Sequence, residues 1–157
     1  MKINFWSVGK AHESYVKEGV DIFTKRISHY FDAEWKIIPT PKNAASLSKK
    51  SLLKAEGNIV LKLLQREDFL IVLDEKGKQF SSEKLSEFIT NTADKGIKNL
   101  VFLIGGAYGI DDEVKSRTNY TWSLSQLVFP HQLVRLILAE QVYRACTIIR
   151  NEKYHHS

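Results

Sequence analysis

Two unbroken apolar runs constrain the fold of this chain more than any other feature. Residues 69–73 (FLIVL) and residues 99–104 (NLVFLI) each have the length of one strand. Strands that are apolar on both faces are typical of a parallel sheet covered by helices. Shorter strand patterns occur at residues 2–8, 34–39 and 119–122, and helical patterns at residues 15–31, 51–65, 82–89 and 110–116. This alternation predicts an α/β fold with a mostly parallel sheet, as one domain over residues 1–157.

The longest helical pattern follows Pro130, whose fixed φ suits the first turn of a helix. The predicted helix begins near His131. One side of it carries an apolar stripe, formed by Val134, Leu138, Ala139, Val142, Ala145, Cys146 and Ile149. Its first two turns are apolar on the other side as well, at Leu133, Leu136 and Ile137. A helix that is apolar all round packs on two sides, so we expect it to contact its own domain and another chain.

Two arginines of this helix are candidates for special roles. Arg135 leaves from the apolar stripe, and a buried guanidinium needs a carboxylate, carbonyl groups or an anionic ligand. An internal ion pair, a side chain that extends to the rim and a ligand contact are all open for it. Arg144 lies on the polar face, four residues after Glu140, where it serves either as an ordinary helix ion pair or as a substrate contact.

Composition limits the class of protein and its partners. The net charge of +5 and a pI near 9.2 make a polyanion a reasonable partner, although the excess is modest. The single cysteine, Cys146, belongs to an apolar stripe, which excludes a disulfide framework and fits a reducing compartment. No apolar run reaches membrane-spanning length and the first residues lack a signal-peptide core, so we expect a cytoplasmic protein without a membrane partner.

Three strand ends are candidate ligand sites, because ligands of parallel sheets bind beyond the carboxyl ends of the strands. They are the end of the first apolar run, where residues 74–77 (DEKG) predict a turn, the glycines at 105, 106 and 109, and residues 123–129. The glycines lack the spacing of a dinucleotide fingerprint or a P-loop, and the acidic segment after them would repel a pyrophosphate. They would let a flat ligand approach the backbone, or serve only as a turn.

The sequence gives little support for a metal site or for a serine hydrolase. The five histidines do not have the spacing of metal ligands, and no nucleophile elbow of the G-x-S-x-G type is present. The basic segment at residues 42–50 is either a flexible loop or a phosphate contact. The closing residues, with Tyr154, His155 and His156, are either a frayed end or a group that stacks on a base and contacts phosphate.

Five motifs together resemble one family over the whole chain. They are Val8-Gly9-Lys10, LIGGAYG at residues 103–109, SLSQLVFPHQLVR at residues 123–135, EQVYRA at residues 140–145, and the Tyr-His ending. The chain resembles the RlmH family, SPOUT-superfamily methyltransferases that modify N3 of a pseudouridine in large-subunit ribosomal RNA. The long block with Phe-Pro-His before Leu-Val-Arg is far more specific than a pattern of three glycines.

The resemblance implies a trefoil-knotted α/β fold and a homodimer whose interface includes the C-terminal helix. The general rule against threaded chains would instead predict an unknotted sheet. The resemblance also implies S-adenosyl-L-methionine as cofactor, held by backbone loops of the knot, and no metal. The implied cofactor contacts are Leu73, Gly105, Leu124, Ser125, Gln126, Leu127, Val128 and Phe129.

The implied reaction is direct methyl transfer, in which the protein aligns donor and acceptor and excludes water. N3 of pseudouridine is an imide N–H that attacks well only after losing its proton, so a cation near the flanking carbonyls would stabilise the anion. Arg144, Tyr154, His155 and His131 are the candidates for positioning or stabilisation, and no general base can be named. The family ending usually has Arg or Lys where this chain has His156. Alternatives are a non-catalytic ribosome-associated RNA-binding protein and a SPOUT methyltransferase that acts on transfer RNA.

Overall fold

Strands and helices alternate along the chain in a computed structural model that describes residues 1–154. The strands are β1 (Lys2–Val8), β2 (Asp32–Ile38), β3 (Phe69–Gln79), β4 (Asn99–Ile104) and β5 (Tyr120–Ser123). The α-helices are α1 (Ser14–Ile27), α2 (Lys49–Leu63), α3 (Ser82–Asp94), α4 (Asp112–Arg117) and α5 (His131–Ile149). The predicted basic loop contains a 3-10 turn, Ala44–Ser46, before Ser48 caps α2 by accepting a hydrogen bond from the Ser51 N–H at 3.1 Å.

The five strands form one parallel sheet in the order β2-β1-β4-β3-β5. One face packs on α1, α3 and α5 through side chains such as Phe102 and Leu138, and the other packs on α2 and α4 through side chains such as Val72 and Val60. Each fully buried aliphatic or aromatic side chain contributes roughly 1.5–3 kcal/mol. The arrangement confirms the predicted α/β architecture. Cys146 is fully buried as expected of a core residue, and burial raises the pKa of its thiol to about 12.

The predicted turn at residues 74–77 is wrong. Strand β3 continues to Gln79, because its pairing with β5 resumes after a register shift in which Leu73 and Lys78 both face Trp122. The backbones approach so closely here that a Cβ on Gly77 would lie 2.7 Å from the carbonyl carbon of Trp122. The Asp-Glu-Lys-Gly pattern is a local signal, whereas this irregular pairing depends on a strand more than 40 residues away.

Helix α5 lies against the sheet between α1 and α3. It ends in a reversal of the chain at Asn151, which has a positive φ of 54°. The N–H of Asn151 donates to the carbonyl of Ile148 at 3.0 Å, and the N–H of Glu152 donates to the carbonyl of Thr147 at 2.9 Å. These two bonds form a Schellman motif, which turns the last described residues back along the outside of the helix.

Two kinds of feature are absent from residues 1–154. No helix there is both long and apolar enough to cross a membrane. No three histidine, cysteine or acidic side chains in that range lie together in a way that could hold a metal ion.

The reversal at Asn151 gives a stability prediction. Replacing Asn151 with Val places a branched side chain in the left-handed region, so we expect the free energy of unfolding to fall by about 1–2 kcal/mol. Asn151→Gly accepts the same φ and serves as the control, with stability at or above that of the parent. Urea denaturation measures both, and equal stabilities for the two variants would show that the αL turn does not hold the tail.

Candidate cofactor and substrate site

A pocket of about 430 Å³ lies beyond the carboxyl ends of β4 and β5 and beside residues 73–76 in the middle of β3. Its volume is within the range of about 300–1,000 Å³ that small-molecule sites occupy. The lining includes Leu73, Ile104, Gly105, Tyr108, Trp122, Leu124, Ser125, Leu127, Val128, Phe129, His131 and Val134. The three stretches picked out from the sequence therefore meet around one cavity, although the first of them lies within β3 and not at its end.

All the implied cofactor contacts except Gln126 line this pocket. Gln126 is exposed and does not contribute to the wall. Leu127 and Val128 are 70% and 80% exposed, although both are large apolar residues. Apolar side chains that lie open at the rim of a cavity are available to cover a ligand or to meet a partner chain.

Gly105 shapes the pocket through the loop that follows it. A Cβ at this position would lie 2.6 Å from both the carbonyl oxygen of Gly109 and Cδ1 of Ile110. Any side chain would therefore displace the loop itself. Only glycine lets the end of β4 pass this closely under the turn, which holds a backbone surface at the wall of the pocket.

Glu56 supports the same loop from behind, and the sequence did not single it out. It is only 5% exposed, and its Oε2 lies 2.6 Å from where a Cβ of Gly106 would be. Burial raises the pKa of this carboxyl group. On the outer side, the Lys49 ammonium lies 5.4 Å from the centre of the Tyr108 ring, which lines the pocket. The basic segment at residues 42–50 thus reaches the rim of the cavity.

The loop before α5 uses its serine side chains for its own structure. The Ser123 hydroxyl donates to the carbonyl of Ser125 at 2.9 Å, and the Ser125 hydroxyl accepts from the N–H of Leu127 at 3.0 Å. Because these hydroxyl groups hold the turn, the loop offers a ligand mainly backbone groups and apolar side chains.

The first turns of α5 also hold the loop after β1. Gln132 accepts a hydrogen bond from the N–H of Glu13 at 3.1 Å and donates one to the carbonyl of Ala11 at 3.0 Å. Arg135 is 2% exposed, and its Nη1 lies 3.3 Å from Nδ1 of His12. Burial and the neighbouring Arg135 lower the pKa of His12, so the neutral ring can accept this hydrogen bond.

Two of the alternatives for Arg135, an internal ion pair and a side chain that extends to the rim, are therefore wrong within residues 1–154. Arg135 makes no salt bridge to a carboxylate there, and its Nε has no hydrogen-bond partner in that range. Its observed partner is an imidazole 123 residues away in the sequence, which was not among the partners considered.

Two of the candidate substrate-positioning residues lie together on the outside of α5. Arg144 donates from Nε at 3.0 Å and from Nη2 at 2.6 Å to one oxygen of Glu140, and the Tyr154 hydroxyl donates to the same oxygen at 3.2 Å. The guanidinium carbon of Arg144 lies 4.9 Å from the centre of the Tyr154 ring. Burial and Glu140 raise the pKa of Tyr154, which therefore stays a hydrogen-bond donor. His155 lies outside the described residues.

These candidates form two separate groups. His131 lines the pocket, whereas Arg144 and Tyr154 do not. Arg144 lies about 20 Å further along α5, at a rise of about 1.5 Å per residue. Within one chain, Arg144 and Tyr154 therefore lie near the C-terminal part of α5, whereas the pocket lies at its N-terminal end.

Comparison with known proteins identifies the family. A family model described as "Predicted SPOUT methyltransferase" matches residues 1–155. The chain belongs to the SPOUT methyltransferase family. Three relatives from Cytophaga hutchinsonii, Christiangramia forsetii and Parabacteroides distasonis are 47%, 42% and 41% identical to it over 156 residues. Each alignment covers 99% of this chain and 100%, 99% and 99% of the respective relative, and each relative is named "Ribosomal RNA large subunit methyltransferase H".

SPOUT methyltransferases use S-adenosylmethionine, and the pocket fits such a molecule. Backbone groups of its wall at Gly105, Leu124, Ser125 and residues 127–129 can donate and accept hydrogen bonds, and Leu73 and Val134 supply apolar surface. The cofactor carries its methyl group on a cationic sulfonium, so the SPOUT domain has to bind and orient it and exclude water.

Gly105→Val tests this site of the SPOUT domain. Because the side chain would collide with Gly109 and Ile110, we expect the loop to shift and the affinity for S-adenosylmethionine to fall by at least about tenfold, roughly 1.4 kcal/mol. Gly96→Asn is the matched control, since its φ of 76° suits Asn and a Cβ there meets no atom within 4 Å. Titration calorimetry measures both, and equal affinities would remove the glycine loop from the site.

The contact between half-buried His12 and buried Arg135 predicts a pH dependence of stability. The pKa of His12 in the folded chain is below its ordinary value of 6.5, so the unfolded chain binds the proton more tightly and acidification below pH 6.5 favours unfolding. His12→Asn keeps an acceptor for Arg135 but does not titrate. We expect its free energy of unfolding to fall less steeply than that of the parent as pH decreases below 6.5. Chemical denaturation measures both proteins. Free energies of unfolding that change equally with pH in the parent and in His12→Asn would contradict this coupling.

Proposed function

We propose that this chain methylates N3 of a pseudouridine in large-subunit ribosomal RNA, with S-adenosylmethionine as methyl donor. The observation that carries the proposal is the pocket at the strand ends, built from Gly105 and the loop before α5 in a chain that aligns end to end with its relatives. Those relatives are named as methyltransferases of large-subunit ribosomal RNA. The alignments cover 99% of this chain and 99–100% of each relative.

In this proposal the chain contributes binding and orientation. Leu73, Gly105, Leu124, Ser125 and residues 127–129 would hold the cofactor, and the exposed side chains of Leu127 and Val128 would shield the bound groups from water. His131 contacts the substrate base from the first turn of α5. The cofactor would supply the methyl group from its sulfonium to N3 and leave as the neutral thioether, and the imide proton would leave to solvent.

A homodimer through α5 completes the site. Arg144 and Tyr154 are too far along α5 to reach the pocket of their own chain, but two α5 helices packed in opposite directions would bring each tail to the pocket of the other subunit. The half-buried apolar side chains at Leu133 and Ile137 would form part of this contact. There the guanidinium of Arg144, held by Glu140 and stacked on Tyr154, would stabilise the anionic base.

Methyl incorporation into isolated large ribosomal subunits tests the reaction. We expect label from S-adenosylmethionine in the large subunit and, after nuclease digestion and mass spectrometry, on a methylated pseudouridine. Transfer to transfer RNA alone would favour the alternative substrate. A protein that binds ribosomes but gives no calorimetric heat with the cofactor would be the non-catalytic RNA-binding protein.

Arg144→Ala tests the role of the tail. We expect the rate of methyl transfer to fall about 10²-fold or more, because an electrostatic contact to the developing anion is lost. The affinity for S-adenosylmethionine should stay at the parental value, because Arg144 does not line the pocket. Arg66→Ala, which removes an exposed arginine on another surface, is the control. An unchanged rate would make the pair with Glu140 only structural.

Mixed dimers test whether the site is shared between subunits. One subunit carries Gly105→Val and the other carries Arg144→Ala, so a shared site recovers one intact pocket with one intact tail. We expect little activity from either variant alone and a clear return of activity after the two are unfolded and refolded together. A site contained in a single chain predicts no recovery. Mixing two preparations of Arg144→Ala controls for the refolding step.

A further inference from the structure

A second hollow lies at the far end of α5 from the cofactor pocket. It has a volume of about 490 Å³ and is lined by Arg26, His29, Tyr30, Tyr143, Arg150 and Glu152. These residues come from the end of α1 and the end of α5. None of them lines the cofactor pocket, so the mechanism described above leaves the hollow without a role.

The reversal of the chain after α5 builds this hollow. The turn at Asn151 places the carboxylate of Glu152 against Tyr30, whose hydroxyl donates a hydrogen bond to it. Burial and the bond to Glu152 raise the pKa of Tyr30, so its hydroxyl remains a donor. The carboxylate that lines the hollow is therefore already engaged by a neutral partner.

The cations around the hollow have no such partner. Arg26 places its guanidinium carbon 5.8 Å from the centre of the Phe23 ring and 5.5 Å from the centre of the Tyr143 ring. Contacts with aromatic rings do not neutralise the charge of the guanidinium, which can still donate hydrogen bonds to an anionic acceptor. Neither Arg26 nor Arg150 forms a salt bridge within residues 1–154, and both are exposed.

Cations near the end of a helix also complement its dipole, but that effect does not require a cavity or aromatic walls. Here two arginines and a histidine surround a concavity between two tyrosines. Tyr143 also packs against Tyr154, with ring centres 4.7 Å apart, so one wall of the hollow adjoins the group formed by Arg144 and Tyr154. Guanidinium groups with free edges bind phosphate through paired hydrogen bonds.

We propose that this hollow binds a backbone phosphate of the RNA next to the nucleotide that is methylated. This inference rests on the proposed function, because it takes the RNA to be the substrate that the Arg144 and Tyr154 group contacts. The hollow anchors the RNA chain and adds affinity, and it takes no part in the transfer of the methyl group.

The salt dependence of RNA binding tests the proposal. The dissociation constant for isolated large ribosomal subunits is measured between about 50 and 200 mM salt for the parent and for Arg150→Ala. Loss of one phosphate contact should lower the slope of log affinity against log salt by about 0.7–0.9 and weaken binding several-fold at low salt. Arg66→Ala removes the same charge from another exposed surface and should leave the slope near the parental value.

Glu152→Gln gives a prediction of opposite sign. Glutamine can still accept the hydrogen bond of Tyr30, but it removes the negative charge that faces the phosphate. We expect tighter binding to large subunits, by a few-fold at low salt, which a folding defect would not produce. An unchanged slope for Arg150→Ala, an equal loss for Arg66→Ala, or weaker binding for Glu152→Gln would each overturn the proposal.

Cofactor affinity and methyl transfer separate this inference from the proposed function. Arg150→Ala should raise the KM for large subunits and leave the affinity for S-adenosylmethionine unchanged. If the parent binds large subunits with the expected variant effects but transfers no methyl group, the proposed function fails and the phosphate site stands. If the parent methylates the subunit and Arg150→Ala has the parental slope and KM, the phosphate site fails alone.

Discussion

The packing of α5 between α1 and α3 is the interaction on which both ends of the molecule depend. Leu138 and Val142 are fully buried against the sheet, and each contributes roughly 1.5–3 kcal/mol. Ala139 and Ala145 are also fully buried, and their small side chains let the helix lie close to its neighbours. Because one helix spans the domain, its first turn shapes the cofactor pocket and its last turn shapes the basic hollow. A shift of α5 would therefore disturb both places together.

Unsatisfied polar groups are concentrated at the end of the sheet where the cofactor pocket lies. The buried side-chain atoms without a hydrogen-bond partner in residues 1–154 are Trp6 Nε1, Ser7 Oγ, Trp122 Nε1 and Arg135 Nε. The first three come from the last residues of β1 and β5, and Arg135 belongs to the first turns of α5. Each such group lowers the free energy of unfolding by about 1–3 kcal/mol. These groups therefore reduce stability at the end of the domain where the cofactor pocket lies. That pattern is typical of a site whose residues are arranged for a ligand.

Local patterns were sufficient for the sheet, for α5 and for the position of the pocket. The runs at residues 69–73 and 99–104 identified strands buried on both faces, and parallel strands bring their carboxyl ends together. Features that depend on distant pairs were missed. The irregular pairing of Lys78 with Trp122 and the contact between Arg135 and His12 join residues far apart in sequence, and no periodicity encodes them. Glu56 was missed because a carboxylate on an amphipathic helix carries no sign that a glycine loop will cover it.

The modest net charge explains why the placement of individual cations matters. A surplus of five positive charges spread over the surface would attract RNA weakly at physiological salt. Near the tail, however, Glu152 accepts from Tyr30, and Glu140 accepts from Tyr154 as well as from Arg144. A tyrosine hydroxyl stabilises a carboxylate without adding a positive charge. Arg26 and Arg150 are therefore not needed as partners of Glu152 and Glu140. The tyrosines thus leave local positive charge at the surface, where a polyanion can use it.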